Sequence, residues 1–129
     1  MNLAKLKIIV GHALVGWAVS VAILAFGFAT MPPVDALLLH AMAVPVIFIY
    51  VSMYYFENYF YTTALQTAAI FTLIVMGMDF IVFGLLIDHT FSMFGSVLMT
   101  WIPFFMTFTA THMTGLYAMI MPRRRLFAR

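Results

Sequence analysis

Four acidic side chains occur in the chain, Asp35, Glu57, Asp79 and Asp88, and only Asp79 lies inside a long uncharged run, Met76-Gly77-Met78-Asp79-Phe80. Counted back from Ile87, its carboxyl sits about 12 Å inside a bilayer boundary at about 1.5 Å of rise per residue, too deep for a short side chain to reach headgroups. Inserting an aspartate near the centre of a spanning helix costs about 2.5–3.5 kcal/mol, so the group must find a partner or a proton. Ala68, Thr72, Met76 and Leu86 share its helical face, which turns the carboxyl toward a helix seam, with Thr72 about two turns to the cytoplasmic side. His40, in Leu39-His40-Ala41-Met42, lies about 7 Å inside the boundary set by Asp35, at a depth approaching that of Asp79. If the second and third helices are neighbours, as their short connection suggests, the two groups can pair directly or through a water. Asp79 and His40, with Thr72, are therefore the leading candidates for a proton- or ion-linked site. The plainer alternatives are an Asp79 that only glues helices together and a His40 that rests on a backbone carbonyl.

The histidines also invite a haem reading. His12 and His112 in the cytoplasmic halves of the first and fourth spans, and His40 and His89 near the outer side, mimic b-type haems held between histidines of different helices. His89 falls in the Asp88-His89-Thr90 connection and His112 points away from the fourth span's threonines, so electron transfer ranks last and no cofactor is expected. A surface metal site from Asp35, His40, Asp88 and His89 lacks any i, i+4 ligand pair or HExxH-type run, and no metal is expected. The 12 methionines are scattered, which suits adaptable packing better than a copper path. Zero cysteines exclude disulfides, thiolate metal sites and cysteine nucleophiles. There is no GxSxG elbow, phosphate-cradling glycine loop or dinucleotide fingerprint, and one deep aspartate cannot make a paired-aspartate protease, so no enzyme is expected.

The elements that must position these groups follow from composition. Of the 129 residues 66% are apolar and 8% charged, against about 45–50% and 25% in soluble domains, so the solvent is a bilayer. A spanning helix needs about 20 mostly apolar residues. Four segments qualify, Ile8–Thr30, Ala36–Tyr55, Thr62–Ile87 and Phe91–Met121, and their short connections predict a single-domain, all-α, antiparallel bundle of four transmembrane helices. The first run is too long for a signal peptide. Lys5 and Lys7 precede it, Arg123, Arg124, Arg125 and Arg129 follow the last, and none lies between, which puts both termini in the cytoplasm of a multi-pass cell-membrane protein. The net charge of +2 thus reads as surface anchoring, with no nucleic-acid partner. Tyr54, Tyr55, Phe56, Tyr59, Phe60 and Tyr61 crowd the cytoplasmic connection as interfacial anchors.

Packing in lipid relies on small residues and interhelical hydrogen bonds. Gly16, Ser20 and Gly27 form the seam of the first span, and Thr107, Thr111 and Thr114, with Ala118, form an inward stripe on the fourth that packs or lines a path. Pro45 and Pro103 disturb the carbonyls of Ala41 and Met99 and predict kinks. Two functions remain level. One is a small proton-linked transporter or ion pathway using Asp79 and His40, which needs a homo-oligomer or a very small ion because four short helices enclose little volume. The other is a non-catalytic accessory subunit of a larger membrane complex.

Overall fold

The computed structural model describes residues 1–121, apart from the side chain of Asp88. Arg123, Arg124, Arg125 and Arg129 lie outside the described residues. Helix α1 (Leu3–Thr30) starts where the Asn2 side chain accepts from the Lys5 amide at 3.0 Å, which lengthens it ahead of the apolar run. It ends before Pro32-Pro33, and Pro33 opens α2 (Pro33–Asn58) at the position that needs no amide hydrogen. A capping box opens α3 (Ala64–Asp79): Thr63 accepts from the Gln66 amide and the Gln66 side chain accepts from the Thr63 amide.

Beyond Asp79 the chain keeps its helical course but widens into a π-helix, Phe80–Asp88, which ends at His89 in the left-handed region (φ 58°). Phe91 is left-handed as well, a 3-10 turn covers Ser92–Gly95, and Ser96 is extended, its hydroxyl accepting from the Met99 amide. The last helical course therefore begins at Val97 rather than at Phe91, first as a π turn, Val97–Trp101, and then as α4 (Ile102–Ile120). Two left-handed residues and the Ser96 cap stop helix formation earlier, a local geometry that hydropathy does not register. Among the described residues there is no strand. Three helices, Leu3–Thr30, Pro33–Asn58 and Ala64–Ile87, are long and apolar enough to cross a membrane. The fourth is not among them, since Pro103, His112 and several threonines dilute its hydropathy.

The packing order differs from the chain order. Helix α1 packs closely on α2 and α3, and α4 packs closely on α2 and α3, while the backbones of α1 and α4, and of α2 and α3, stay apart, and α2 reaches α3 through side chains such as Phe48 and Tyr55 on Phe71. The second and third helices are thus diagonal partners, not the neighbours their short connection suggests, and the first and fourth do not adjoin either. Residues Tyr59 to Thr63 cross that diagonal. The buried Tyr55 hydroxyl secures the crossing, bonding the Thr62 hydroxyl at 2.8 Å and the Tyr61 amide at 3.1 Å. Helices that follow one another in sequence still run antiparallel, as Gly16 on Phe48 and Gly27 on Ala36 show for α1 and α2. The ring neighbours α2 and α4, however, run parallel: Ser52 meets Thr111, and Phe56 meets Gly115 one turn further on.

The core between these faces is formed by Ile9, Phe48, Tyr55, Phe56, Phe71 and Phe104 with smaller residues around them. Glycine is required at the close approaches, since a Cβ on Gly16 falls 2.8 Å from the Phe48 ring and one on Gly27 falls 2.9 Å from the Ala36 Cβ. Gly16, Ser20 and Gly27 are all buried. Thr107, Thr111 and Thr114 are buried on α4, where Thr107 and Thr114 donate to the carbonyls of Pro103 and Ala110 and Thr111 accepts from Ser52.

Candidate functional site

Asp79 is the last residue of α3, at the change from α to π geometry. Its carboxyl is held by a residue from α1: the Trp17 indole Nε1 donates to Asp79 Oδ1 at 2.7 Å, at the short end of the N–H···O range. Trp17 lies midway along α1, and Ser20 reinforces the turn by donating to the Trp17 carbonyl at 2.8 Å. An indole N–H withdrawn from water needs an acceptor, and the Asp79 carboxyl supplies it.

Trp17, Ser20, His40, Asp79 and Thr107 share the wall of one partly open chamber of about 20 Å³, lined also by apolar side chains such as Phe48, Val75 and Phe83. One water needs about 10–15 Å³ measured in this way, so the chamber has room for a single water and for nothing the size of an organic solute. Irregular backbone surrounds it. Phe83 comes from the π stretch after α3, Met93 from the 3-10 turn and Met99 from the π turn before α4. Wide helical turns of this kind are frequent at functional sites.

His40 is 8% exposed, and its Nδ1 is buried with no hydrogen-bond partner among the described residues. An unpaired buried polar nitrogen costs about 1–3 kcal/mol, so its survival calls for a physical reason. His40 and Asp79 thus reach one chamber from diagonal helices, but the bond that Asp79 accepts comes from Trp17. Thr72 does not line the chamber. It lies two turns back along α3 with its hydroxyl buried and unpaired.

The other histidines have separate surroundings. His12 donates from Nδ1 to the Ile8 carbonyl at 2.7 Å and packs among Tyr54, Tyr55 and Tyr59, with ring centroids 5.3 to 5.7 Å away. His112 stacks on Phe108 of its own helix, and His89 sits exposed in the turn after the π stretch. The level of His12 between the helices is filled by Ile9 and Tyr55, so a haem between His12 and His112 does not fit this packing. Among the described residues, no three His, Asp or Glu side chains gather where they could hold a metal ion. Asp35 and Glu57 are exposed.

Trp17 is the site residue that sequence reasoning missed. Its signal was present as a mid-span indole N–H in a chain with one deep acid. Comparison with known protein families, curated proteins and solved structures finds no match for this chain.

Proposed function

We propose that the protein is a small integral membrane protein whose central chamber binds and passes a proton. In this reading four helices cross the bilayer, and the terminal Lys and Arg residues hold both ends in the cytoplasm. The outer faces support insertion, since large apolar side chains such as Phe26, Leu73 and Phe105 are exposed along the helices rather than scattered singly.

One observation carries the proton reading: an acid and an unpartnered imidazole face the same chamber, which has room for one water. The chamber's size narrows the earlier expectation of a transporter. No solute fits, so the moving species is a proton relayed between carboxylate, water and imidazole. Hydroxyls continue from the chamber along α4, through Thr107, the Ser52–Thr111 pair and Thr114. They point the relay toward the end that carries the termini.

Proton flux into liposomes containing the purified protein, followed with an enclosed pH-sensitive dye, tests this. Wild type should exceed protein-free liposomes, and Asp79→Asn should lower the excess at least tenfold. Equal flux in the variant sinks the relay. A second reading, a non-catalytic subunit of a membrane assembly, is favoured by the Trp17 bond, which already satisfies Asp79 as a link between helices. On that reading the wild-type liposomes show no excess flux at all.

A further inference from the structure

The methionines are scattered along the chain, yet two of them meet at the depth of the central chamber. Met93 and Met99 both line it, together with His40. The fold holds this pair in place. The Ser96 amide and the Thr100 hydroxyl both donate to the Met93 carbonyl, at 3.1 and 2.6 Å, and the Met99 amide donates to the Ser96 hydroxyl at 3.2 Å. The irregular turn that delays the last helix is thus the device that brings Met93 inward, where it is 7% exposed although it belongs to a connection between helices. Connections ordinarily run over the surface. His40 adds a buried imidazole whose Nδ1 has no hydrogen-bond partner among the described residues. A seam built for packing alone has no use for an unpaired nitrogen.

We infer that the chamber binds one soft monovalent metal ion, copper(I) or its chemical relative silver(I), through the thioether sulfurs of Met93 and Met99 and an imidazole nitrogen of His40. Donor chemistry selects the class of metal. Thioethers and imidazole suit copper(I), whereas calcium and magnesium take about six or more oxygens. The chamber, about 20 Å³, has room for one water, so a hard ion would have to enter without the waters it keeps. Charge selects the valence. Asp79 is the only acidic side chain on the wall, so a single positive charge is balanced there, while a divalent ion such as zinc leaves one unit uncompensated at low dielectric. The Trp17 bond keeps the Asp79 carboxyl on the wall as a counter-ion. The chamber is partly open, which gives the ion a way in.

The inference does not rest on the proton reading, although a bound ion takes the space of the relay's water. Silver nitrate, titrated calorimetrically into the full chain in chloride-free detergent, tests it. Wild type should bind one silver ion per chain. The double variant Met93→Leu, Met99→Leu keeps the apolar volume and should leave helix content unchanged by circular dichroism. It should weaken the binding roughly 100-fold, about tenfold for each lost thioether. Met113→Leu with Met119→Leu removes two exposed methionines of α4 that do not line the chamber, and the binding should stay as in wild type. X-ray absorption of the wild-type chain loaded with copper(I) under a reductant should show two sulfurs and one imidazole nitrogen, with the nitrogen lost in His40→Phe.

Absence of silver binding by wild type, or equal affinity in the Met93→Leu, Met99→Leu variant, overturns the inference. So does an equal loss in the Met113→Leu, Met119→Leu variant, which would mean unspecific uptake on methionines, and so does a copper spectrum without sulfur. Failure here is separable from failure of the relay, because proton flux is measured in metal-free liposomes. Flux without silver binding refutes the metal site alone, and silver binding without flux refutes the relay alone.

Discussion

Removing the indole donor opposite Asp79 provides the sharpest test of the site's geometry. Trp17→Phe keeps a ring in the chamber wall and deletes the 2.7 Å bond to the carboxylate. A hydrogen bond to a charged group contributes about 1.5–3 kcal/mol in water-soluble proteins, while interhelical bonds in membranes average about 0.6 and reach about 1.7 kcal/mol. The short distance and the shared burial place this bond near the upper membrane figure, at about 1–2 kcal/mol, or roughly a 5- to 30-fold change in the unfolding equilibrium. A smaller ring also leaves space, so the single variant overstates the bond. A double-mutant cycle with Asp79→Ala removes that error, because the packing loss appears on both sides of the cycle. Unfolding in bicelles or mixed micelles, followed by circular dichroism, gives the four stabilities. The expected coupling is about 1–2 kcal/mol, and Asp79→Asn, whose Oδ1 still accepts from Trp17, should lose less stability than Asp79→Ala. A coupling below about 0.3 kcal/mol, the level of unrelated sites, refutes the bond as a tie between α1 and α3.

Two further outcomes follow from the packing. His40→Phe deletes a buried nitrogen that has no partner and should leave stability within about 1 kcal/mol of wild type, or raise it, while removing proton flux; a larger fall in the same unfolding assay refutes the unpaired state. Gly27→Val drives a side chain against Ala36, whose Cβ is 2.9 Å from the position a Cβ would take, and should destabilise by about 1–3 kcal/mol, whereas Gly11→Ala, with nothing within 4 Å, should be neutral or stabilising. Equal effects for the two glycine variants in thermal melts would count against the close approach of α1 and α2.

The chain's local chemistry made much of this architecture legible and its circuitry much less so. Helix boundaries at Pro32-Pro33 and at Thr63 with Gln66 are written in residue types that cap or stop helices. The isolation of Asp79 in an apolar run is equally plain from the sequence. Which helices pack together is not, because a connection as short as Tyr59 to Thr63 can join adjacent or diagonal helices, and the Tyr55 hydroxyl bonds that hold its course are not signalled by hydropathy or by capping residues. The same applies to Asp79. Its depth could be counted along one helix, but its donor lies 62 residues away on another. The late start of the last helix escaped hydropathy because Phe91 and Phe94 are as apolar in a 3-10 turn as in a helix.

The diagonal crossing also orders assembly. Helices α1 and α2 form one hairpin and α3 and α4 a second, and the polar partners are divided between them: Trp17 and Ser52 belong to the first, Asp79 and Thr111 to the second. A half-synthesised chain therefore displays an indole and a hydroxyl whose complements have not yet been translated. The earlier hairpin waits with its polar surface open to chaperones and degradation, and completion of the later one closes that window.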